Sequence, residues 1–191
     1  MPYLLHIDSS AVGPGSISRQ IAGSLRASWH GPVAYRDLAA VPVPHITAAA
    51  IAARFTAPTD RDPRQAAATA VQDELIGKFL GAGAHLFTVP MYNFSMPSVF
   101  KAWLDQVMVV GATIVPSPAA GRPAFVVSPR DGGYGPGAPN HGMDHLVPHW
   151  KPPSAIRRPD SASTSVSSLS TSLTPAGLPS SPDSCRYTRH H

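Results

Sequence analysis

The stretch Val89-Pro90-Met91-Tyr92-Asn93-Phe94-Ser95-Met96-Pro97 constrains the fold most, because an apolar run ends there in loop-forming residues and restarts as a helix. The run before it, Ala84-His85-Leu86-Phe87-Thr88-Val89, is short and mostly apolar, as suits a parallel strand covered on both faces. After it, Val99, Phe100, Trp103, Leu104 and Val107 recur at helical spacing. Pro97 is expected in the first turn of that helix, where its missing N–H costs nothing. Residues 91–95 therefore read as a strand-to-helix loop at the carboxyl edge of a sheet, the edge at which open α/β sheets bind ligands.

The same unit opens the chain. Tyr3-Leu4-Leu5-His6-Ile7 has strand length, and Asp8-Ser9-Ser10 with Val12-Gly13-Pro14-Gly15-Ser16 reads as the loop after it. Ile17, Ile21, Leu25 and Trp29 repeat every four residues, which predicts a helix over 16–29 with that face inward. Ser16 is the N-cap candidate, and Ser18 adds a second hydroxyl. A Gly/Ser loop at a helix N-terminus makes an anion site; the plainer alternative is that the serines only cap the helix. Neither GxxxxGK[ST] nor GxGxxG is present, which disfavours P-loop nucleotide hydrolysis and the dinucleotide fingerprint.

Residues 32–38 read as a weaker strand at an edge. Thr47 caps an alanine-rich helix ending near Phe55, and 56–61 reads as a mobile connection. Asp62-Pro63-Arg64-Gln65 has the form of a capping box with proline at the first helical position. Ala68, Val71, Leu75 and Phe79 predict the buried stripe of that helix, and Gly81 its stop. Pro123-Ala124-Phe125-Val126-Val127-Ser128 is a fourth strand, which runs into the glycine-rich 129–137. Strands alternating with helices imply an α/β doubly wound parallel sheet. Three of its strands end in ligand-type loops, at 8–18, 91–95 and 128–135.

With 191 residues, 43% hydrophobic, one domain with a real core is expected. No run reaches the roughly 18 apolar residues of a membrane span, and no signal peptide is visible, so a cytoplasmic protein is expected. The lone Cys185 completes neither an internal disulfide nor a cysteine-rich metal site. Of the net charge of +4, the segment from Lys151 onward carries +3, so the body is nearly neutral and nucleic acid is not an expected partner. That same segment holds eleven serines and six prolines, a composition that builds no core. The division expected is 1–149 as the folded domain and 150–191 as a disordered Ser/Pro/Arg-rich tail, read as the product of a shifted reading frame, with a flexible tail of independent origin as the plainer alternative.

On Pro90-Met91-Tyr92-Asn93-Phe94 and the helix bearing Lys101, Trp103 and Asp105, supported by Ser9-Ser10, Ser16-Ile17-Ser18 and residues 128–133, the chain resembles the FMN-dependent NADH azoreductases, flavodoxin-like quinone and azo-dye reductases. The resemblance covers roughly residues 3–148. It implies a flavodoxin-like sheet of order 2-1-3-4-5, with FMN at the switch point between the first and third strands. It further implies that Ser10, Ser16, Ile17 and Ser18 hold the phosphate and ribityl chain, that Met91, Tyr92, Asn93 and Phe94 line the ring, and that Ser128, Arg130, Gly132 and Gly133 close over it. The activity implied is two-electron transfer from NADH or NADPH to a quinone or azo compound, in a homodimer. Two departures stand out. Ser128-Pro129-Arg130-Asp131-Gly132-Gly133 is longer than the family's Ser-Arg-Gly-Gly, and the family's fifth strand and last helix are expected to be missing here.

Two rival readings follow from the same residues. A flavodoxin-like electron carrier would bind FMN without a substrate of its own, but such carriers are acidic and this body is not. An inactive, shortened member of the family is the other. No catalytic acid or base is assigned, because the flavin carries the chemistry. His141, His145 and His149 fall at i, i+4 and i+8 with Asp144 nearby, yet Gly142 and Pro148 break the helix a metal site would need; solvent-facing histidines are expected. Arg19 and Arg26 are read as ordinary solvated positions.

Overall fold

A computed structural model of the chain describes residues 2–147 and the strand Val166–Leu169. In chain order the elements are β1 (Tyr3–Asp8), α1 (Ile17–Ala27), β2 (Val33–Asp37), α2 (Ala48–Ala53), a 3-10 turn (Pro58–Asp60), α3 (Pro63–Gly81), β3 (Ala82–Thr88), α4 (Ser98–Val107), β4 (Ala124–Val127) and β5 (Val166–Leu169). All strand pairs are parallel and the sheet order is β2-β1-β3-β4-β5. The doubly wound, flavodoxin-like order that the resemblance implies is the order observed.

One expectation about the sheet is corrected. The position beyond β4 was expected to be empty, and Val166–Leu169 fills it, with Ala124 opposite Val166 and Val127 opposite Leu169. An unpaired parallel edge offers a row of backbone donors and acceptors, and four residues suffice to engage it. The expected boundary at 149/150 and the missing last helix concern residues outside those described.

Period-two alternation divides the sheet between two cores. Leu5, Ile7, Phe87 and Val126 pack on one face with Leu75 of α3 and Phe100, Trp103, Leu104 and Val107 of α4. Leu4, Ala84, Leu86 and Val127 pack on the other with Ala22, Ile21 and Leu25 of α1. The predicted stripe of α1 is only partly right: Ser18 and Ala22 are the buried positions, while Ile17 is 45% exposed. Small side chains let the helix lie close to the sheet, and that rotation turns Ile17 out beside the first loop. On α3 the buried positions are Thr69, Gln72 and Leu75. Gln72 is buried because its amide donates to the Gln106 carbonyl of α4 at 2.9 Å, an apolar-pattern exception of the kind hydrogen bonding permits.

The local signals of the sequence hold where side chain meets backbone nearby. Asp62 and Gln65 form the reciprocal capping box with Pro63 in the first turn. Thr47 caps α2 and Ser16 caps α1. Pro97 stands one residue earlier than expected, at the N-cap of α4. Part of the connection over 56–61 is an ordered 3-10 turn.

Candidate functional site

Between β1 and β3 the chain order reverses: β1 leads to β2 on one side, and β3 lies on the other. The loops that follow β1 and β3 therefore diverge and leave a crevice at the carboxyl edge. Backbone bonds draw the three glycine- and serine-bearing loops together there. Ser9 N–H donates to the Thr88 carbonyl at 3.1 Å, and Met91 N–H donates to the Pro129 carbonyl at 3.1 Å. The Ala11 N–H donates to the Tyr92 phenolic oxygen at 3.0 Å. His145 N–H reaches the Phe94 carbonyl at 3.0 Å.

The first loop gathers three hydroxyls. Ser16 Oγ lies 2.8 Å from Ser10 Oγ and 2.9 Å from Ser18 Oγ, and all three residues are buried. Ser16 also accepts from Arg19 N–H at 3.5 Å, so capping and clustering occur in one residue. The N–H groups of Ile17 and Ser18, in the first turn of α1, have no carbonyl one turn back within the helix to donate to. This is a donor-rich cradle at the positive end of a helix dipole.

The second loop is a miniature hairpin. Tyr92 and Ser95 exchange both backbone hydrogen bonds, at 2.9 and 3.0 Å, around Asn93 and Phe94. Both central residues have positive φ, 49° and 68°. Asn tolerates that region, whereas a phenylalanine there is strained by about 1–2 kcal/mol. The strain holds Phe94 in a turn that leaves the ring 40% exposed. A cavity of about 500 Å³ opens beside the hairpin, lined by Tyr92, Asn93, Ser95, Met96, Ser98 and Lys101. Two more apolar cavities lie away from the loops, under β2 and beside α1.

In the third loop Ser128 is buried, and its Oγ has no hydrogen-bond partner among the described residues. Leaving such a hydroxyl unmatched costs on the order of 1–3 kcal/mol, which a bound polar group would recover. Arg130 pairs with Asp144 at 2.9 Å, and Asp144 in turn accepts from Leu146 and Val147 N–H at 2.9 Å each. Gly132 has φ +100°, and a Cβ there would come within 3.0 Å of the Asn140 amide nitrogen. The loop is thus built around glycine at that point.

These features fit FMN: a hydroxyl and N–H cradle for a phosphate, exposed apolar groups at Ile17 and Phe94 for a flat ring, and an unmatched Ser128 hydroxyl. Of the twelve residues singled out from the sequence, Ile17 and Ser18 lie in the first turn of α1 and the other ten on the three loops that meet at this edge. Residues 3–151 match the family described as having the flavodoxin-like fold. The chain is 42% identical over 158 residues to an FMN-dependent NADH:quinone oxidoreductase of Frankia casuarinae, across 78% of this chain and 75% of that one.

The chain belongs to this flavodoxin-like family.

A second member, the FMN-dependent NADH:quinone oxidoreductase of Streptomyces coelicolor, is 46% identical over 153 residues, covering 76% of this chain and 70% of its own. In fold the chain is similar to an FMN-dependent NADH-azoreductase from Bacillus anthracis solved in complex with FMN, with a TM-score of 0.67 at 18% identity, over 78% and 79% of the two chains.

Sequence reasoning missed one cluster. Arg19 is not a solvated position: its guanidinium lies between Asp8 and Asp37, at 3.2 and 2.8 Å, and its side chain is 19% exposed. Asp37 is held below the usual carboxylate range, first by the hydrogen bond from Arg19. Arg26 stands over the Tyr35 ring, 5.3 Å from its centre. Nothing in local spacing reveals this, because the register of β1 against β2 sets Asp8 opposite Asp37. His141 and His145 lie outside any helix, His149 lies outside the described residues, and no metal-holding cluster occurs among the described residues. No helix among those residues is long and apolar enough to cross a membrane.

Proposed function

We infer that this chain is an oxidoreductase that uses FMN to pass two electrons from NADH to a quinone or azo acceptor. The observation that carries the reading is the cluster of buried hydroxyls of Ser10, Ser16 and Ser18 at the start of α1, in a chain 42% identical to an FMN-dependent NADH:quinone oxidoreductase. When bound, FMN supplies the redox chemistry by taking a hydride from the nicotinamide and passing two electrons on.

The chain's own residues bind and orient. The hydroxyls of Ser10, Ser16 and Ser18 with the N–H groups of Ile17 and Ser18 would hold the phosphate, a dianion suited to neutral donors at a helix N-terminus. Met91, Tyr92, Asn93 and Phe94 would line the ring, and the strained hairpin fixes Phe94 before any ligand arrives, which lowers the ordering cost of binding. Ser128, Arg130, Gly132 and Gly133 would close the other side, with Ser128 supplying a donor that is otherwise unmatched. No residue is assigned as a proton donor: the Tyr92 oxygen accepts from Ala11 N–H and so ties two loops together, and the Arg130 charge is paired with Asp144.

A homodimer completes the reading. Phe55 is 88% exposed, Val110 73% and Val115 70%, apolar side chains that a second copy would cover. A cytoplasmic location accompanies it. The decisive experiment is the visible spectrum of the purified protein, followed by NADH oxidation with a quinone. Bound flavin with quinone-dependent turnover is expected; flavin without turnover would indicate an electron carrier. No change in flavin fluorescence at saturating FMN would sink the cofactor assignment. Light scattering at the mass of a single chain would sink the dimer.

A further inference from the structure

Beneath the hydroxyl cradle lies a cluster of charge that the reading so far leaves unused. Asp8, 1% exposed, closes β1, and its Oδ1 accepts from Ser10 N–H at 3.1 Å. The carboxylate is thus bonded to the loop that carries the cradle. Asp37 is its register partner on β2. Two like charges opposite one another on adjacent strands destabilise the pair, and both would repel a phosphate placed above them.

Arg19, the third residue of α1, meets both problems with one side chain. Its Nη1 lies 2.8 Å from Asp37 Oδ2 and 3.2 Å from Asp8 Oδ2, and donates to the Tyr35 hydroxyl at 3.1 Å. Its Nη2 donates to the Ser10 carbonyl at 2.8 Å and its Nε to the Val12 carbonyl at 3.1 Å. Two carbonyl oxygens of the loop are therefore engaged by the guanidinium instead of facing an anion. The planar fork of arginine can reach these partners at once, which a lysine ammonium cannot.

We propose that Arg19 is the positioning residue that makes the first loop accept a phosphate dianion: it offsets the charge of Asp8 and Asp37 and fixes the loop through the carbonyls of Ser10 and Val12. It does so without being the group that binds the phosphate, since four of its five N–H donors go to Val12, Tyr35, Asp37 and Ser10. With Arg19 the cluster carries one net negative charge, and without it two. The consequence is selective. Loss of Arg19 penalises FMN, which is charged at that end, and spares riboflavin, which lacks the phosphate.

The inference rests on FMN as cofactor, so the test begins with the wild-type protein. Dissociation constants for FMN and riboflavin are measured by flavin fluorescence on wild type, Arg19→Ala, Arg19→Lys and the double variant Arg19→Ala/Asp8→Asn, with thermal melts of each apoprotein. Arg19→Ala is expected to raise the FMN constant roughly 30-fold or more while riboflavin changes less than about threefold, because an unpaired buried carboxylate acts on the charged ligand alone. Adding Asp8→Asn is expected to restore much of the loss. A merely structural role would not produce that rescue, since a second substitution in the same cluster would only weaken the loop further. Equal losses for both ligands, an unchanged FMN constant, or no recovery in the double variant would each overturn the proposal. Should Arg19→Ala fail to fold, Arg19→Gln, which loses the charge, is read for the same selective loss, while Arg19→Lys, which keeps it, is expected to lose less; equal binding of FMN by wild type and Arg19→Gln counts against the proposal. A wild-type protein that binds neither flavin removes the cofactor reading itself, an outcome distinct from a wild type that binds FMN and variants that do not discriminate.

Discussion

The Tyr92 hydroxyl and the Ala11 backbone N–H, 81 positions apart in sequence, meet at 3.0 Å and tie the loop after β3 to the loop after β1. The bond is exposed, so water competes for it and its net worth is about 1 kcal/mol. Tyr92→Phe is expected to weaken FMN about fivefold by releasing one loop from the other, while thermal stability changes little. Titration of flavin fluorescence checks this; wild-type affinity in the variant would show that the two loops are held together by other means.

Ser16 and Ser18 separate helix capping from ligand binding when replaced together. The pair Ser16→Ala/Ser18→Ala is expected to cost about 1 kcal/mol of stability through the lost cap. FMN affinity is expected to fall about tenfold or more, with riboflavin affected far less, because only FMN brings a dianion to the helix N-terminus. Equal losses for the two ligands would mark the serines as caps alone.

Phe94 sits at φ 68° in the hairpin turn. Phe94→Gly removes that strain, worth about 1–2 kcal/mol, against an entropic cost of about 0.5–1 kcal/mol for glycine. The variant is expected to melt at the same temperature or higher and to bind flavin less tightly. A clear fall in melting temperature would mean that the ring is needed for packing instead.

His6 is buried in β1 with neither ring nitrogen bonded among the described residues. Burial holds its imidazole down from the ordinary 6.5 to about 4, with Arg26 and Arg19 acting in the same direction and Asp8 opposing. A lowered folded value means the unfolded chain takes up the proton first. The associated stability is fully present above pH 6.5 and is lost as pH falls toward about 4. The expected slope approaches about 1.4 kcal/mol per pH unit in that window. His85, also lowered chiefly by burial, adds in the same sense. Denaturant melts from neutral to acid pH on wild type and His6→Leu test this, the variant being expected to show a shallower fall. Identical slopes would place the acid sensitivity elsewhere.

What the sequence determined by itself is what depends on neighbours in the chain. The doubly wound parallel class followed from the alternation of apolar runs and helical stripes, the capping box of Asp62 and Gln65 from residues three apart, and the ligand loops from where serine, asparagine and glycine interrupt strands. The family resemblance added the strand order, FMN and the residues proposed to face it. What only the tertiary structure decided is what depends on register and on the rotation of helices. The strand Val166–Leu169 takes the edge beside β4 although its segment, rich in serine, carries no strand pattern of its own. The rotation of α1 buries Ser18 and Ala22 and turns Ile17 outward, since close approach to the sheet favours small residues over the most apolar ones. Arg19 reads in sequence as one more exposed helix residue. It becomes the centre of the first loop only because β1 and β2 pair with Asp8 opposite Asp37, and two carboxylates at that spacing repel unless a cation lies between them.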